Sequence, residues 1–274
     1  MVDIHCHVLP GVDDGAETIA ESLEMLKKAS EGGVKAVVAT PHLLRGMYET
    51  EFSVREQMTA DLQKAADEKG IDIQVKSGVE YYLSPQILEE TDKLKELTIN
   101  NNGKYILVEL PMPIVPPGVA DIIFGLKLHG ITPILAHPER NSRICQNPDI
   151  LFGLVEKGLI TQVNSGSILG KYGREIKKCA EILLTNNLSH VIASDMHSAS
   201  SDTMDKAMPL VEKLLDEKRT TRLFIENSTR ILEGKSICKE EPRRPGSVKK
   251  GLKGFFSRHK KKHQNIAENS DAQE

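Results

Sequence analysis

Two histidines one residue apart, His5 and His7, open the chain in the run Val2-Asp3-Ile4-His5-Cys6-His7. In an extended strand alternate side chains share a face, so such a pair aims both imidazoles at one point, a geometry suited to a metal ion. An ordinary hydrogen-bonded pair fits the dipeptide equally well. What separates the two readings is where the other metal-binding side chains fall. His42 follows a β-branched run through Thr40-Pro41, Glu80 follows Ser77-Gly78-Val79, and Glu109 ends Val108-Glu109-Leu110. His137 ends Ala136-His137-Pro138-Glu139-Arg140, Asn164 closes a further run, and Asp195 and His197 close Ala193-Ser194-Asp195-Met196-His197. Each β-run thus terminates in a candidate ligand or a polar neighbour of one. In parallel α/β barrels all strand C-termini open onto one face, so five histidines, two glutamates and one aspartate are expected at a single mouth. One divalent ion takes four to six ligands, so eight, with carboxylates able to bridge, suit two or three ions. Imidazole and carboxylate without thiolate favour zinc, manganese or iron over magnesium or calcium. Bound ions lower the pKa of water from 15.7 to about 7, and paired ions stabilise both oxygens of a phosphoryl displacement. The chemistry is hydrolysis. Cys6 points to the opposite side of its strand and is read as packed.

Cations near these positions suggest what is hydrolysed. Arg45 lies three residues past His42, Arg140 three past His137, and Arg143 soon after. The planar guanidinium fork makes paired, charge-assisted bonds to phosphate. Asn164-Ser165-Gly166-Ser167 passes from strand to helix, where backbone N–H groups face anions. Any of these arginines could instead pair with Glu139 or surface acids. Arginines local to the mouth of an acidic body favour a phosphate ester over a nucleic-acid backbone.

The elements that must hold these groups alternate regularly. β-runs at Val2 to His5, Val34 to Ala39, Ile71 to Val79, Tyr105 to Leu110, Ile131 to Ala136, Ile160 to Val163 and Val191 to Ser194 alternate with amphipathic stretches. Helices are expected near 16–30 with a C-cap at Gly32-Gly33, after Ser53 and Glu56 as a capping box, near 84–91, 119–129, 149–156 and 173–186, and onward to about Leu232. Asn147 and Pro148 are expected to open the 149–156 helix. Seven strand-then-helix units predict a parallel α/β sheet, closed or nearly closed into a barrel. The 274 residues, 39% hydrophobic, contain no run near the roughly 20 apolar residues of a spanning helix, so a soluble protein is expected. The chain enters a strand directly after Met1, and secretion by a standard signal peptide is not expected. Four cysteines (Cys6, Cys145, Cys179, Cys238) form no C-x-x-C pair, which fits a reducing cytoplasm. The net charge of −3 conceals an asymmetry: residues 239–274 hold 10 Lys/Arg against 5 Asp/Glu, leaving 26 against 34, or −8, for the body.

The stretches His5-x-His7-x-Leu9-Pro10-Gly11-Val12-Asp13-Asp14-Gly15, Thr40-Pro41-His42, Gly78-Val79-Glu80, Ala136-His137-Pro138-Glu139-Arg140, Gln162-Val163-Asn164-Ser165 and Ala193-Ser194-Asp195-Met196-His197 closely resemble the polymerase-and-histidinol-phosphatase (PHP) superfamily. Within it they resemble the bacterial tyrosine phosphatases of capsular and exopolysaccharide operons, over roughly residues 1 to 235. The resemblance implies a distorted seven-stranded (β/α)7 barrel and a trinuclear site usually assigned manganese, with iron or zinc as alternatives. It implies that the enzyme removes phosphate from the tyrosine-rich tail of a membrane-bound bacterial tyrosine kinase. Carried over position by position, the metal ligands are His5, His7, His42, Glu80, Glu109, His137, Asp195 and His197, and Arg140 binds phosphate. The mechanism so implied is attack of metal-bound hydroxide on phosphorus without a phosphoenzyme. Arg140 and Arg45 would then hold phosphoryl oxygens, and a metal or His42 would help the phenolate leave. Relatives often carry an arginine shortly after the Asp-Met-His segment. Ser198-Ala199-Ser200-Ser201-Asp202 supplies none here, and Lys206 is the nearest cation.

A small-molecule phosphatase of the histidinol-phosphate type and a silent kinase-docking scaffold are the competing readings. Cys238 to Arg244 matches the C-x5-R spacing of cysteine-dependent phosphatases, but two carboxylates, a proline and no glycine make it a coincidence. The expected division is a phosphatase domain over 1–238 and a basic, disordered tail over 239–274. Within that tail, Leu252, Phe255 and Phe256 amid the cations of 249–262 suit contact with anionic lipid. A cytoplasmic protein, peripheral at the inner face of the membrane, is expected. Nucleic-acid binding has no fold signature behind it. Oligomerisation is left open.

Overall fold

The computed structural model describes residues 1–89 and 91–248. The basic stretch 249–262 therefore lies outside the described residues. Parallel strands carry the fold: β1 (Val2–Cys6), β2 (Ala36–Ala39), β3 (His42–Leu43), β4 (Gln74–Ser77), β5 (Glu80–Tyr82), β6 (Tyr105–Glu109), β7 (Thr132–Ala136), β8 (Ile160–Asn164) and β9 (Val191–Ala193). They form two sheets, ordered β1-β2-β4 and β3-β5-β6-β7-β8-β9, with every pairing parallel. The parallel α/β class is as the alternating pattern predicts, but no closed sheet joins the described residues.

Two of the seven expected strand runs are each followed, after a break at one level, by a second short strand beyond their expected ends. Ala39 pairs with Ser77 below the break and His42 pairs with Glu80 above it. Pro41 lacks the N–H a continuous ladder would need. Gly78 sits against the neighbouring run so closely that a Cβ there would lie 2.8 Å from Val38 Cγ1. The Glu80 N–H donates to Pro41 O at 3.0 Å across the gap. On the other side β1 meets β9: the Asp195 N–H donates to His5 O and the His7 N–H to Met196 O, each at 2.9 Å.

Strand alternation feeds two apolar clusters. Ile4, Val38, Leu107, Ile134, Ala136, Ile160, Val191 and Ala193 pack together on one face, and Val37, Ala39, Ile106, Val108, Leu135, Val163 and Ile192 pack with the helices on the other. Such burial on both faces is why the strands read as near-continuous hydrophobic runs. The principal helices are Ile19–Glu31, Phe52–Glu68, Val119–Leu128, Asp149–Glu156 and Arg174–Thr185. Thr18 caps the first of these through the Glu21 N–H, and Gly32 ends it. The Ser53–Glu56 capping box does not form: the helix starts at Phe52 and no side chain caps it. Pro148, not Asn147, occupies the N-cap of Asp149–Glu156. The stretch near 84–91 gives 3-10 turns, Pro85–Leu88 and Thr91–Leu97, in place of an α-helix. No helix among the described residues is long and apolar enough to cross a membrane.

The segment after Cys238 lies against the body. Arg222 and Arg219 pair with Glu240, Asn187 donates to Glu241 O, and the Arg243 N–H donates to Asn186 O. Cys238 exchanges backbone bonds with the Asn227 amide, whereas Arg244 stacks on Phe152, so the C-x5-R spacing builds no anion cradle.

Candidate metal centre

A bulge between Asp3 and Cys6 shifts the register of β1. Ile4 consequently joins one apolar cluster and Cys6 the other, while His5 and His7 are both fully buried at the end of the strand. Such bulges re-aim side chains next to functional sites. Cys6 is packed, as expected, though the bulge rather than strict alternation sets the cluster it joins.

Glu80, the first residue after the Gly78 interruption, is the hub. Its Oε2 lies 3.2 Å from His5 Nε2, 3.3 Å from His7 Nε2 and 3.1 Å from His42 Nδ1, and its Oε1 lies 2.9 Å from His137 Nε2. Asp195 Oδ1 lies 3.3, 3.5 and 3.5 Å from His5 Nε2, His7 Nε2 and His197 Nδ1. Glu109 Oε1 is 3.1 Å from His42 Nδ1. All eight side chains singled out by the strand-end pattern thus come together in one constellation. Asp14 joins them, its Oδ1 3.4 Å from both His42 Nε2 and His197 Nε2. Three overlapping groups have ligand atoms within 4.8 Å of one another: His7, Asp14, His42 and His197; His5, His7 and Glu80; and His42, Glu80 and Glu109.

Cations fit this set. Glu80 Oε2, Asp195 Oδ1 and His42 Nδ1 are buried beside charged neighbours, yet none makes a directional hydrogen bond. Buried polar atoms are normally hydrogen-bonded, so atoms that crowd together at about 3 Å without bonding direct their lone pairs at shared centres. Burial alone would lower the His42 pKa, but the Glu109 and Glu80 carboxylates overcome it and push the imidazole up to about 10. Burial alone would raise the Glu80 pKa, but His5 and His137 hold it well below the usual carboxylate range. The carboxylates that favour protonated imidazoles here would equally favour bound cations in place of those protons.

A second layer orients the ligands. His7 Nδ1 is 2.7 Å from Asp13 Oδ2, and His5 Nδ1 is 2.8 Å from Gln162 Oε1, which leaves each Nε2 as the coordinating nitrogen. Asp13 also accepts the Gly15 and His42 N–H groups. Gln162 donates to Asn164, Asn164 donates to Asp195 Oδ2 at 2.6 Å, and Glu139 accepts the Asn164 N–H. His137 at φ 32° and Asp195 at φ 53° hold left-handed backbone without being glycine, strain of the kind found at functional sites. Strand-end reasoning passed over Asp13, Asp14 and Gln162. Their signal was position: Asp13 and Asp14 follow His7 within one loop, and Gln162 is two residues before Asn164 on β8.

The arginines part company. The 3-10 turn Pro138–Arg140 carries Arg140 to the rim, where its Nη1 donates to Asp195 Oδ2 at 2.8 Å and its guanidinium lies over the Tyr172 ring. Arg45 is exposed and lines an adjacent cleft with Tyr81, Arg55 and Glu49. Arg143 is exposed on the short helix Ser142–Gln146.

Residues 1–233 match the family described as "Capsular polysaccharide synthesis, CpsB/CapC". The chain belongs to the CpsB/CapC family. Tyrosine-protein phosphatase YwqE of Bacillus subtilis is 35% identical over 258 residues, 93% of this chain and 100% of that protein. A structure from a crystallographic study of YwqE and of CpsB from Streptococcus pneumoniae, described as metal-dependent tyrosine phosphatases, superimposes with a TM-score of 0.84 at 34% identity. It covers 89% of this CpsB/CapC chain and 99% of its own. Histidinol phosphate phosphatase of Lactococcus lactis shares the fold at 15% identity, with a TM-score of 0.55 over 78% of this chain and 93% of its own.

Proposed function

We propose that this CpsB/CapC protein is a metal-dependent phosphotyrosine-protein phosphatase acting on a bacterial tyrosine kinase of capsule or exopolysaccharide synthesis. The observation that carries the reading is Glu80: a buried carboxylate with its Oε2 unbonded amid His5, His7 and His42. His5, His7, His42, Glu80, Glu109, His137, Asp195 and His197 would hold the ions, with Asp14 as a further carboxylate. Manganese is the proposed metal, three ions matching the three overlapping ligand groups. When bound, such ions act as Lewis acids and make water available as a nucleophile at neutral pH.

The chain's own residues do the rest. Arg140 presents its remaining N–H donors to the phosphoryl oxygens from the rim, because Asp195 fixes one edge of the guanidinium. Arg45 supplies a second cation from the adjacent cleft. His42, whose Nδ1 lies against Glu80 and Glu109, is the residue proposed to help the phenolate leave if it is not itself occupied by an ion. Phenolate is a comparatively good leaving group, so no dedicated strong acid is required.

The two sheets are read as one distorted seven-stranded barrel of the PHP type, broken where Pro41 and Gly78 interrupt it. The phosphatase domain is assigned to 1–238, followed by the strap that packs on it and a basic tail. That tail would hold the enzyme at the cytoplasmic face of a membrane beside its kinase. Elemental analysis beside phosphate release from a phosphotyrosine peptide tests the function: loss on chelation and rescue by manganese are expected, and chelator-resistant turnover would overturn it. Faster turnover of histidinol phosphate than of the peptide would move the substrate to small molecules. Liposome sedimentation with and without residues 245–274 tests the membrane role, which equal recovery would end.

A further inference from the structure

The turn between the helices Ser165–Leu169 and Arg174–Thr185 is bracketed by two left-handed glycines, Gly170 at φ 90° and Gly173 at φ 93°. Between them lie Lys171 and Tyr172. The Arg140 guanidinium carbon is 4.6 Å from the Tyr172 ring centroid, and the Lys171 ammonium is 5.5 Å from the same ring. The guanidinium is otherwise fixed at one point, the 2.8 Å bond from Nη1 to Asp195 Oδ2. A single bond leaves a guanidinium free to swing about it. A ring 4.6 Å from the guanidinium carbon, within cation–π range, restricts that swing.

We infer that Tyr172 is a positioning residue for phosphoryl recognition: its half-buried ring holds Arg140 flat, so that the free edge of the guanidinium faces the phosphate. This rests on the phosphatase reading above. Ring and cation attract through the ring quadrupole, and the Tyr172 hydroxyl meets Asn164, so the ring-retaining Tyr172→Phe separates the two contributions. Lys171 adds a second positive charge to the same rim, so the turn as a whole presents an anion with a flat wall edged by cations. The two glycines permit the left-handed backbone that shapes the turn.

The test uses the full-length protein loaded with manganese and a phosphotyrosine peptide. Tyr172→Leu should raise KM about three- to tenfold with kcat changed less than twofold, and weaken competition by inorganic phosphate by the same factor. Tyr172→Phe, which keeps the ring, should restore KM to within twofold of the parent. In an Arg140→Lys background, Tyr172→Leu should add less than twofold, because the ring has lost the plane it holds. A merely structural role would instead lower kcat or melting temperature, leave phosphate competition unmoved and add independently of Arg140, and that pattern would overturn the inference. An active parent with unchanged KM in Tyr172→Leu overturns it alone. An inactive parent overturns the phosphatase reading and this inference together.

Discussion

Glu80 and Asp13 act on the same cluster by different means. Glu80 brings its charge into the middle of four imidazoles, whereas Asp13 meets only the far nitrogen of His7 and the backbone N–H groups of His42 and Gly15. Glu80→Gln removes the charge that cations would neutralise and keeps the shape, so the bound metal measured by elemental analysis should fall, and phosphotyrosine turnover should drop by about 100-fold or more. A variant that keeps its full metal content and activity would remove Glu80 from the proposed ligand set. Asp13→Asn leaves every candidate ligand in place but weakens the acceptor that orients His7, a change that typically costs about 10- to 100-fold in metal affinity. Its expected signature is recovery: activity lost at low manganese should return as manganese is raised, in a titration of initial rate against metal concentration. The eight candidate ligands were legible because each terminates an apolar run, and strand periodicity places such residues without reference to distant contacts. Asp13, Asp14 and Tyr172 were not, since a loop aspartate or a tyrosine between two glycines has no period to betray where the chain folds it; Gln162 shares the face of Asn164 on β8 but does not end its run.

Loops in this protein are shaped by close approach as much as by turn chemistry. The Leu9–Gly15 loop folds back on β1 until Gly15 lies against His7, where an added Cβ would stand 2.2 Å from His7 O and 2.5 Å from His7 Cβ. The neighbour is backbone and cannot step aside. Gly15→Ala should therefore push Asp13 and Asp14 away from His7 and His42, at a cost of about 1–3 kcal/mol typical of overpacking. Lower thermal stability together with lower metal content is the expected pair of results from calorimetry and elemental analysis. An unshifted melting temperature would mean the loop has slack that this packing denies. The same sensitivity to contact explains where sequence periodicity ran out. The run Ile71 to Val79 reads as one strand, but Gly78 must pass against Val38, so the ladder stops at Ser77 and resumes at Glu80. Ser53 and Glu56 have the spacing of a capping box, yet the helix begins one residue earlier, at Phe52, and takes Ser53 into its first turn. Helices whose apolar faces pack on the sheets, such as Ile19–Glu31 and Arg174–Thr185, were placed to within a few residues, since their period reflects burial itself.

At the scale of the whole molecule, the metal centre lies at one side of the fold's charge balance and His190 at the other. His190 is buried on the approach to β9: its Nδ1 accepts the Thr161 N–H at 3.2 Å, and Asn227 donates to its carbonyl. Lys239, Arg219 and Arg222 line the small cavity beside it, closed by the strap that follows Cys238. Burial, then the nearby Lys239 ammonium, depresses the imidazole from 6.5 to about 3. A depressed histidine binds its proton more readily in the unfolded chain. Its contribution to stability is therefore complete above pH 6.5 and is lost progressively as pH falls toward 3. Each pH unit within that window costs up to about 1.4 kcal/mol, so acid should loosen the packing of the strap against the body well before the carboxylates protonate. His190→Asn keeps an acceptor near Nδ1 and carries no titratable group. Chemical denaturation of parent and variant, each with chelator so that metal binding does not enter, should give a stability gap that favours the parent near pH 7.5 and closes or reverses by pH 4.5. Curves that stay parallel across this range would show that His190 takes up its proton equally well folded and unfolded, and the acid sensitivity would then belong to the carboxylates alone.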